Sequence, residues 1–252
     1  MLEQVRLDQS VPKEEYQRRL PELQDRLYTL AHAMFRARQP VIVVFEGWAA
    51  AGQGGAIRVL TERLDARGFR VAPISPPRTF ETHYPWLWRF WLKIPAYGQM
   101  VIFDGSWYRR VLIDRVTDQA RKREWEQAYY DITEFETQLA NDGVVIVKFW
   151  LHISHKEQAK RFKKLLKSEL TAWQVTDEDA AQDKAYDAYL AAAEDMLART
   201  DTAHAPWTLV AATDRSHARL VVYETLIRAL ETRLKALDLL PAPEPAAEVA
   251  HA

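Results

Sequence analysis

Four short apolar runs, VIVVF (41–45), QMVIF (99–103), VVIVKFWL (144–151) and WTLVAA (207–212), show no alternation of apolar and polar residues. A strand with one wet face alternates, whereas a strand covered on both faces reads as a continuous apolar stretch. The runs are short and helical stretches separate them, so they predict strands of a parallel sheet with helices on both faces. A fifth, shorter candidate is FRVAP (69–73). With 252 residues, 48% of them hydrophobic, the chain can fill one such core, and one α/β domain is expected.

The helices are equally legible. Residues 13–38 place Tyr16, Leu20, Leu23, Leu27, Leu30 and Phe35 three to five apart among charged residues, a helix that packs against the sheet before the first strand. Ser154 to Glu157 (SHKE) reads as a capping box opening a helix through about Leu166. Residues 177–199, rich in alanine and acid, predict one further helix. Another, 215–237, carries Leu220, Tyr223, Leu226, Ile227, Leu230 and Leu234 on one face, with Asp214 as its cap. The proline- and alanine-rich tail from Pro241 has nothing with which to bury a core and is expected to be disordered.

Charge excludes some classes of partner. Thirty-four basic residues against 35 acidic ones leave a net charge of −1, so there is no global attraction for nucleic acid or a membrane surface, and any anion site must be built locally. The absence of cysteine removes disulfides and thiolate metal sites. The start of the chain lacks the apolar core of a signal peptide, and no run approaches the ~18 apolar residues of a membrane span. A cytoplasmic protein is expected.

The local anion site has an obvious candidate. GWAAAGQGG (47–55) follows the first strand directly and precedes AIRVLTERL, a helical stretch. Strand, glycine-rich turn and helix together aim successive backbone N–H groups at one anion. Gly47 and Gly52 match the spacing of a phosphate-binding loop, with Gly54 and Gly55 following. Gln53, however, stands where such a loop carries lysine, and Gly54 where it carries a hydroxyl. By itself the motif is equally compatible with a turn that only lets strand and helix pack closely. Asp104, closing the third strand as MVIFD, stands where α/β nucleotide sites hold a metal, although a lone aspartate there also serves as a cap or turn residue.

Other residues carry weaker signals. Lys156, Lys160, Arg161, Lys163, Lys164 and Lys167 face Glu157 alone in one helix, either a wall for a polyanion or a solvated face. Arg109 and Arg110, after SWY, either line the anion path or sit on the surface of the next helix. In YPWLWRFW (84–91) the rings read as core or subunit interface, and Arg89 is the better ligand candidate. Arg121, Lys122 and Arg123 read as the exposed start of a helix. His83, His152 and His155 show no metal-binding spacing and read as structural or surface residues.

Five stretches, FEGWAAAGQGG, HYPWLWRFWLKIPAYGQMVIFDGSWYRRVL, VKFWLHISHKEQAKRF, LTAWQVTDED and MLARTDTAHAPWTLVAATDRSHAR, resemble in order the motifs of polyphosphate kinase family 2, and within it the polyphosphate:AMP phosphotransferase branch, over residues 13–235. The resemblance implies a P-loop kinase-like three-layer α/β sandwich with a five-stranded parallel sheet, an N-terminal helix and a helical lid. The domain would span 13–238 with the lid at about 163–180, leaving 239–252 as the disordered tail. It implies phosphoryl transfer between inorganic polyphosphate and AMP or ADP with Mg²⁺ at Asp104, and a homo-oligomer, dimer or tetramer. The residues nominated for phosphate or nucleotide are Gly47, Gly52, Gly54, Gly55, Arg89, Arg109, Arg110, Lys160, Arg161 and Lys164.

The departures from the family pattern fall on charged positions. Ala49 stands where the family's loop has aspartate, Gln53 where it has lysine, Gly105 where its D-R-S-W-Y motif has arginine, and Gln174 where its lid often has a basic residue. Phosphoryl transfer relies on positioning and charge stabilisation. By analogy with lost oxyanion-hole donors, losing one preorganised charged donor costs on the order of 10²- to 10³-fold. Activity is therefore expected to be reduced or lost, with binding better preserved than turnover.

Overall fold

The computed structural model describes residues 1–242; the tail expected to be disordered lies, from residue 243 on, outside the described residues. Among the described residues five strands form one parallel sheet in the order β2-β3-β1-β4-β5: β1 Val41–Gly47, β2 Phe69–Pro73, β3 Met100–Asp104, β4 Val145–His152 and β5 Trp207–Ala211. Each lies within two residues of its expected run. The helices are α1 (Lys13–Arg36), α2 (Gln53–Thr61), α3 (Trp88–Trp91), α4 (Ile113–Val116), α5 (Lys122–Asn141), α6 (His155–Leu165), α7 (Glu169–Ala172), α8 (Asp177–Lys184), α9 (Tyr186–Thr200) and α10 (Arg215–Ala236).

The direction of the crossovers places these helices. From β1 to β2 the chain moves one way across the sheet, and from β3 to β4 it moves the other. Right-handed connections then set α2 and α5 on opposite faces. With α2 packs α10, and α1 lies outside α10; α5 packs on β4 with α9 against it. Central β1 is sealed from Val41 to Phe45, whereas edge strand β2 exposes three of its five residues. The strand order reverses beside β1, and the crevice this leaves lies at the carboxyl ends of the strands.

Lys148, a charge inside the apolar run of β4, is fully buried. Its Nζ donates to Glu136 Oε2, Tyr108 Oη and the Thr200 carbonyl, each at 2.8 Å. Glu136 Oε1 also accepts from Tyr108 Oη at 2.7 Å and from Trp107 Nε1 at 3.0 Å. A buried ammonium is tolerable because three acceptors replace its water.

Three expectations need correction. The stretch 177–199 is two helices, because Ala185 (φ −105°, ψ 31°) leaves the helical region between α8 and α9. The SHKE box is half made: Ser154 Oγ accepts from the Glu157 N–H, but the Glu157 carboxylate turns to Lys160 and Arg161 instead of the Ser154 N–H. In α1, Phe35 is half exposed and its neighbour Met34 takes the buried place. The apolar face of α10 is buried at all six expected positions, and Asp214 caps it by accepting from the His217 N–H at 2.8 Å.

Candidate functional site

The chain leaves β1 through Gly47 at φ 152°, where a Cβ would meet the Leu151 carbonyl oxygen of β4 at 2.4 Å. Only glycine lets the two backbones approach that closely. Trp48 N–H then donates to that same carbonyl at 3.2 Å, the turn passes Ala50 at φ 61°, and Gly52 at φ 115° caps α2. The N–H groups of Gln53, Gly54 and Gly55 lie in the first turn of α2, where no intrahelical acceptor exists, so backbone alone forms a cup of donors of the kind that suits an anion.

Arg161 of α6 holds this turn in place. Its guanidinium donates to the carbonyls of Ala50 and Ala51 in the loop, to those of Ala212 and Thr213 after β5, and to Glu157. All five of its N–H groups are thereby used. Expected as an anion ligand, Arg161 instead stabilises the strained backbone at Ala50 and ties the loop to the end of β5. Lys160 and Lys164, expected beside it, lie exposed on the outer side of α6, with Lys160 paired to Glu157 at 3.1 Å.

Gln53 folds back on its own loop. Its Nε2 donates to the Trp48 carbonyl and its Oε1 accepts from the Gly52 N–H, both at 3.2 Å. A lysine could make only the first of these contacts, since an ammonium has no acceptor. Ala49 brings no side-chain charge, and its N–H donates to Gln182 Oε1 of α8 at 2.7 Å.

The metal-binding expectation centred on Asp104, and the register Phe45↔Asp104 sets it at the carboxyl edge beside β1. Burial pushes its carboxyl up. Sequence reading missed its neighbour Glu46, the residue that follows VIVVF. Burial pushes the Glu46 carboxyl up to about 7, opposed by a 2.7 Å hydrogen bond from Ser106 Oγ and reinforced by the charge of Asp104. Two crowded oxygen donors that resist joint ionisation suit a hard divalent cation, which would relieve their repulsion. Among the described residues no group of three or more histidine or acidic side chains gathers to cage a metal.

Basic residues stand on two sides of the loop, in α10 and beneath α8. On one, Arg219 of α10 comes within 3.7 Å of where a Gly55 Cβ would stand, and burial with repulsion from Arg161 and Arg219 lowers the affinity of Arg215 for its proton. Neither Arg215 nor Arg219 was singled out from the sequence, although both stand in the motif ATDRSHAR. On the other side, Arg109 donates bidentately to Glu178 of α8 at 2.9 and 2.5 Å and lies 3.0 Å from Asp114. Arg110 reaches Asp114 and Glu124 at 3.7 and 3.4 Å. Arg89, buried in the aromatic stretch, donates to the Ser75 carbonyl at 2.8 Å. The loop and Asp104 are thus brought together, Arg109 lies under α8, and the lysines of α6 stay apart.

Aromatic packing joins α8 and α9 to the loop. Tyr186 lies parallel between Trp48 and His155, with ring centroids at 4.5 and 4.2 Å. Trp48 Nε1 donates to His152 Nδ1 at 2.8 Å, and burial lowers His152 to about 4. His152 is therefore structural, as its spacing suggested.

A family model described as Polyphosphate kinase 2 (PPK2) matches residues 10–238. The polyphosphate:AMP phosphotransferase of Pseudomonas aeruginosa is 41% identical over 235 residues, which are 93% of this chain and 47% of that protein. The ADP-polyphosphate phosphotransferase 2 of Rhizobium meliloti is 36% identical, covering 87% of this chain and 72% of that one. The crystal structure of polyphosphate kinase 2 from Arthrobacter aurescens TC1 superposes with a TM-score of 0.88 at 29% identity, covering 96% and 88% of the two chains. The chain spans about half the length of the polyphosphate:AMP phosphotransferases it matches.

Proposed function

The chain belongs to the polyphosphate kinase 2 family, and from that premise we propose that it binds a nucleotide (AMP or ADP) and inorganic polyphosphate around the loop 47–55 while transferring phosphoryl groups slowly or not at all. The observation that carries this reading is Gln53. Its side chain is spent inside the loop on Gly52 and Trp48, so the cup offers backbone amides and no cation of its own. Amides orient and bind phosphate, but rapid transfer also needs charge opposite the transferring group.

The remaining parts fit a binder. Arg215 and Arg219 bring positive charge to the mouth of the cup, and Glu46 with Asp104 would hold Mg²⁺. Such an ion supplies charge neutralisation between phosphoryl oxygens when bound. Ala49 and Gly105 withdraw two further charged groups that the family pattern places here. An alternative is a silent subunit that pairs with an active copy, favoured by an intact apolar frame around a loop that carries Ala49 and Gln53 at the charged positions.

Purified protein incubated with polyphosphate, Mg²⁺ and AMP or ADP, beside the Ala49→Asp/Gln53→Lys variant, tests the proposal. The variant is expected to exceed the parent by at least about 10²-fold in turnover, by analogy with the loss of one preorganised oxyanion-hole donor. Equal turnover would refute the impairment. Thermal shifts with the same ligands separate a binder, which melts higher with ligand, from a pure assembly subunit, which does not.

A further inference from the structure

Helix α8 is anchored to the site at three points, with a fourth two residues beyond its end. Glu178 takes Arg109 bidentately, Gln182 accepts the Ala49 N–H, Asp183 meets His155 at 2.8 Å, and Tyr186 is stacked between Trp48 and His155. Glu178 and Gln182 are one helical turn apart on the same face, so α8 spans the gap between the loop and Arg109. Gln182 Oε1 also accepts from Gln158 Nε2 of α6 at 2.9 Å, and Gln158 donates to the Ala49 carbonyl at 3.2 Å, so α8 holds the Ala49 N–H directly and is tied to its carbonyl through Gln158.

What Glu178 occupies is informative. Arg109 is buried, and the guanidinium fork that here holds two carboxylate oxygens would equally hold two phosphoryl oxygens. The Ala49 N–H, held by Gln182, belongs to the same glycine-rich loop whose later amides form the cup. Both contacts use groups that a bound polyanion would need.

The geometry points to α8 as an internal occupant of the polyanion site: Glu178 stands in for a phosphoryl group on Arg109, Gln182 blocks a loop amide, and the segment opens only when a phosphate chain displaces them. This inference rests on the reading of the loop as a polyphosphate and nucleotide site, and it adds self-inhibition by the helix. Nothing covalent is involved; one anion replaces another on the same donors. Ala185 already interrupts the helix between α8 and α9, so α8 can be displaced without unwinding a continuous helix.

The test uses the full chain and inorganic tripolyphosphate at ~0.15 M salt, where distant charges are screened. Glu178→Gln removes the ion pair, Gln182→Ala frees the Ala49 N–H, and Asp177→Asn removes a charge from the same first turn of α8 without touching Arg109. Amide exchange of residues 177–184 without ligand is expected to quicken at least fivefold more in Glu178→Gln and Gln182→Ala than in Asp177→Asn. Calorimetric titration should show Glu178→Gln binding tripolyphosphate about tenfold tighter than Asp177→Asn. Exchange no faster than in Asp177→Asn, or an affinity no greater, overturns self-inhibition. Failure of every protein, the parent included, to bind tripolyphosphate or AMP at millimolar concentration overturns the binding function instead, and the exchange rates then still decide whether α8 is latched.

Discussion

Glu46 and His152 carry opposite pH dependences that nearly cancel, and removing either one should expose the other. Glu46 keeps its proton to about 7 in the fold, against 4.5 for the ordinary carboxyl, so across that window the folded state holds more protons and stability falls as pH rises. His152 takes its proton only near 4, against 6.5 ordinarily, so the unfolded state holds more protons and stability rises with pH. Each displacement is worth about 3 kcal/mol when fully developed. Because the windows overlap and the slopes oppose, their sum stays within about 0.5 kcal/mol from pH 4 to 7.

Glu46→Gln leaves the His152 slope uncovered, and His152→Gln, which keeps an acceptor for the Trp48 indole, leaves that of Glu46. Urea unfolding followed by tryptophan fluorescence at pH steps from 4.5 to 7.5, in EDTA to exclude divalent cations, gives the stability of each protein. Relative to the parent, Glu46→Gln should gain about 2–3 kcal/mol between pH 4.5 and 7, and His152→Gln should lose about 2–3 kcal/mol over that range. Other titrating groups are shared and drop out of the differences. Flat difference curves for both variants would refute the assignment of these two environments.

Three further outcomes follow from the geometry. Gly47→Ala should destabilise by more than the ~1–3 kcal/mol of backbone strain alone, because its Cβ collides with the Leu151 carbonyl, whereas Gly52→Ala, with nothing within 4 Å, should lose no more than that strain; melting temperatures compare them. Lys148→Met leaves Glu136 buried without its cation and should cost about 3–5 kcal/mol in urea unfolding, much of it restored by adding Glu136→Gln. Arg161→Lys, which cannot serve four carbonyls and Glu157 at once, should speed amide exchange of residues 49–52 while exchange in β1 stays slow.

The sheet was legible because its signal is chemical and local. Strands buried on both faces must be apolar throughout, so VIVVF, MVIF and VVIVKFWL located β1, β3 and β4 to within two residues, and the glycines of 47–55 located the turn after β1. The buried face of α10 and its Asp214 cap were legible for the same reason, a period of 3.6 and a short polar side chain at a helix start. Asp104 could be placed beside the loop because a parallel sheet puts the carboxyl ends of neighbouring strands together.

Tertiary structure decided which charged residues face the cup. Arg161 and Lys160 are adjacent in one basic run, yet one is buried with every N–H used and the other is exposed, because only one face of α6 meets the loop and the end of β5. The break at Ala185 has no local signature; alanine favours a helix, and the stacking of Tyr186 between Trp48 and His155 accompanies it instead. The pairings Glu178 with Arg109 and Gln182 with Ala49 join residues 69 and 133 positions apart. A sequence fixes which segments must be buried, since burial depends on each side chain's own affinity for water; which charges meet depends on distances between segments, and those exist only after the chain has folded.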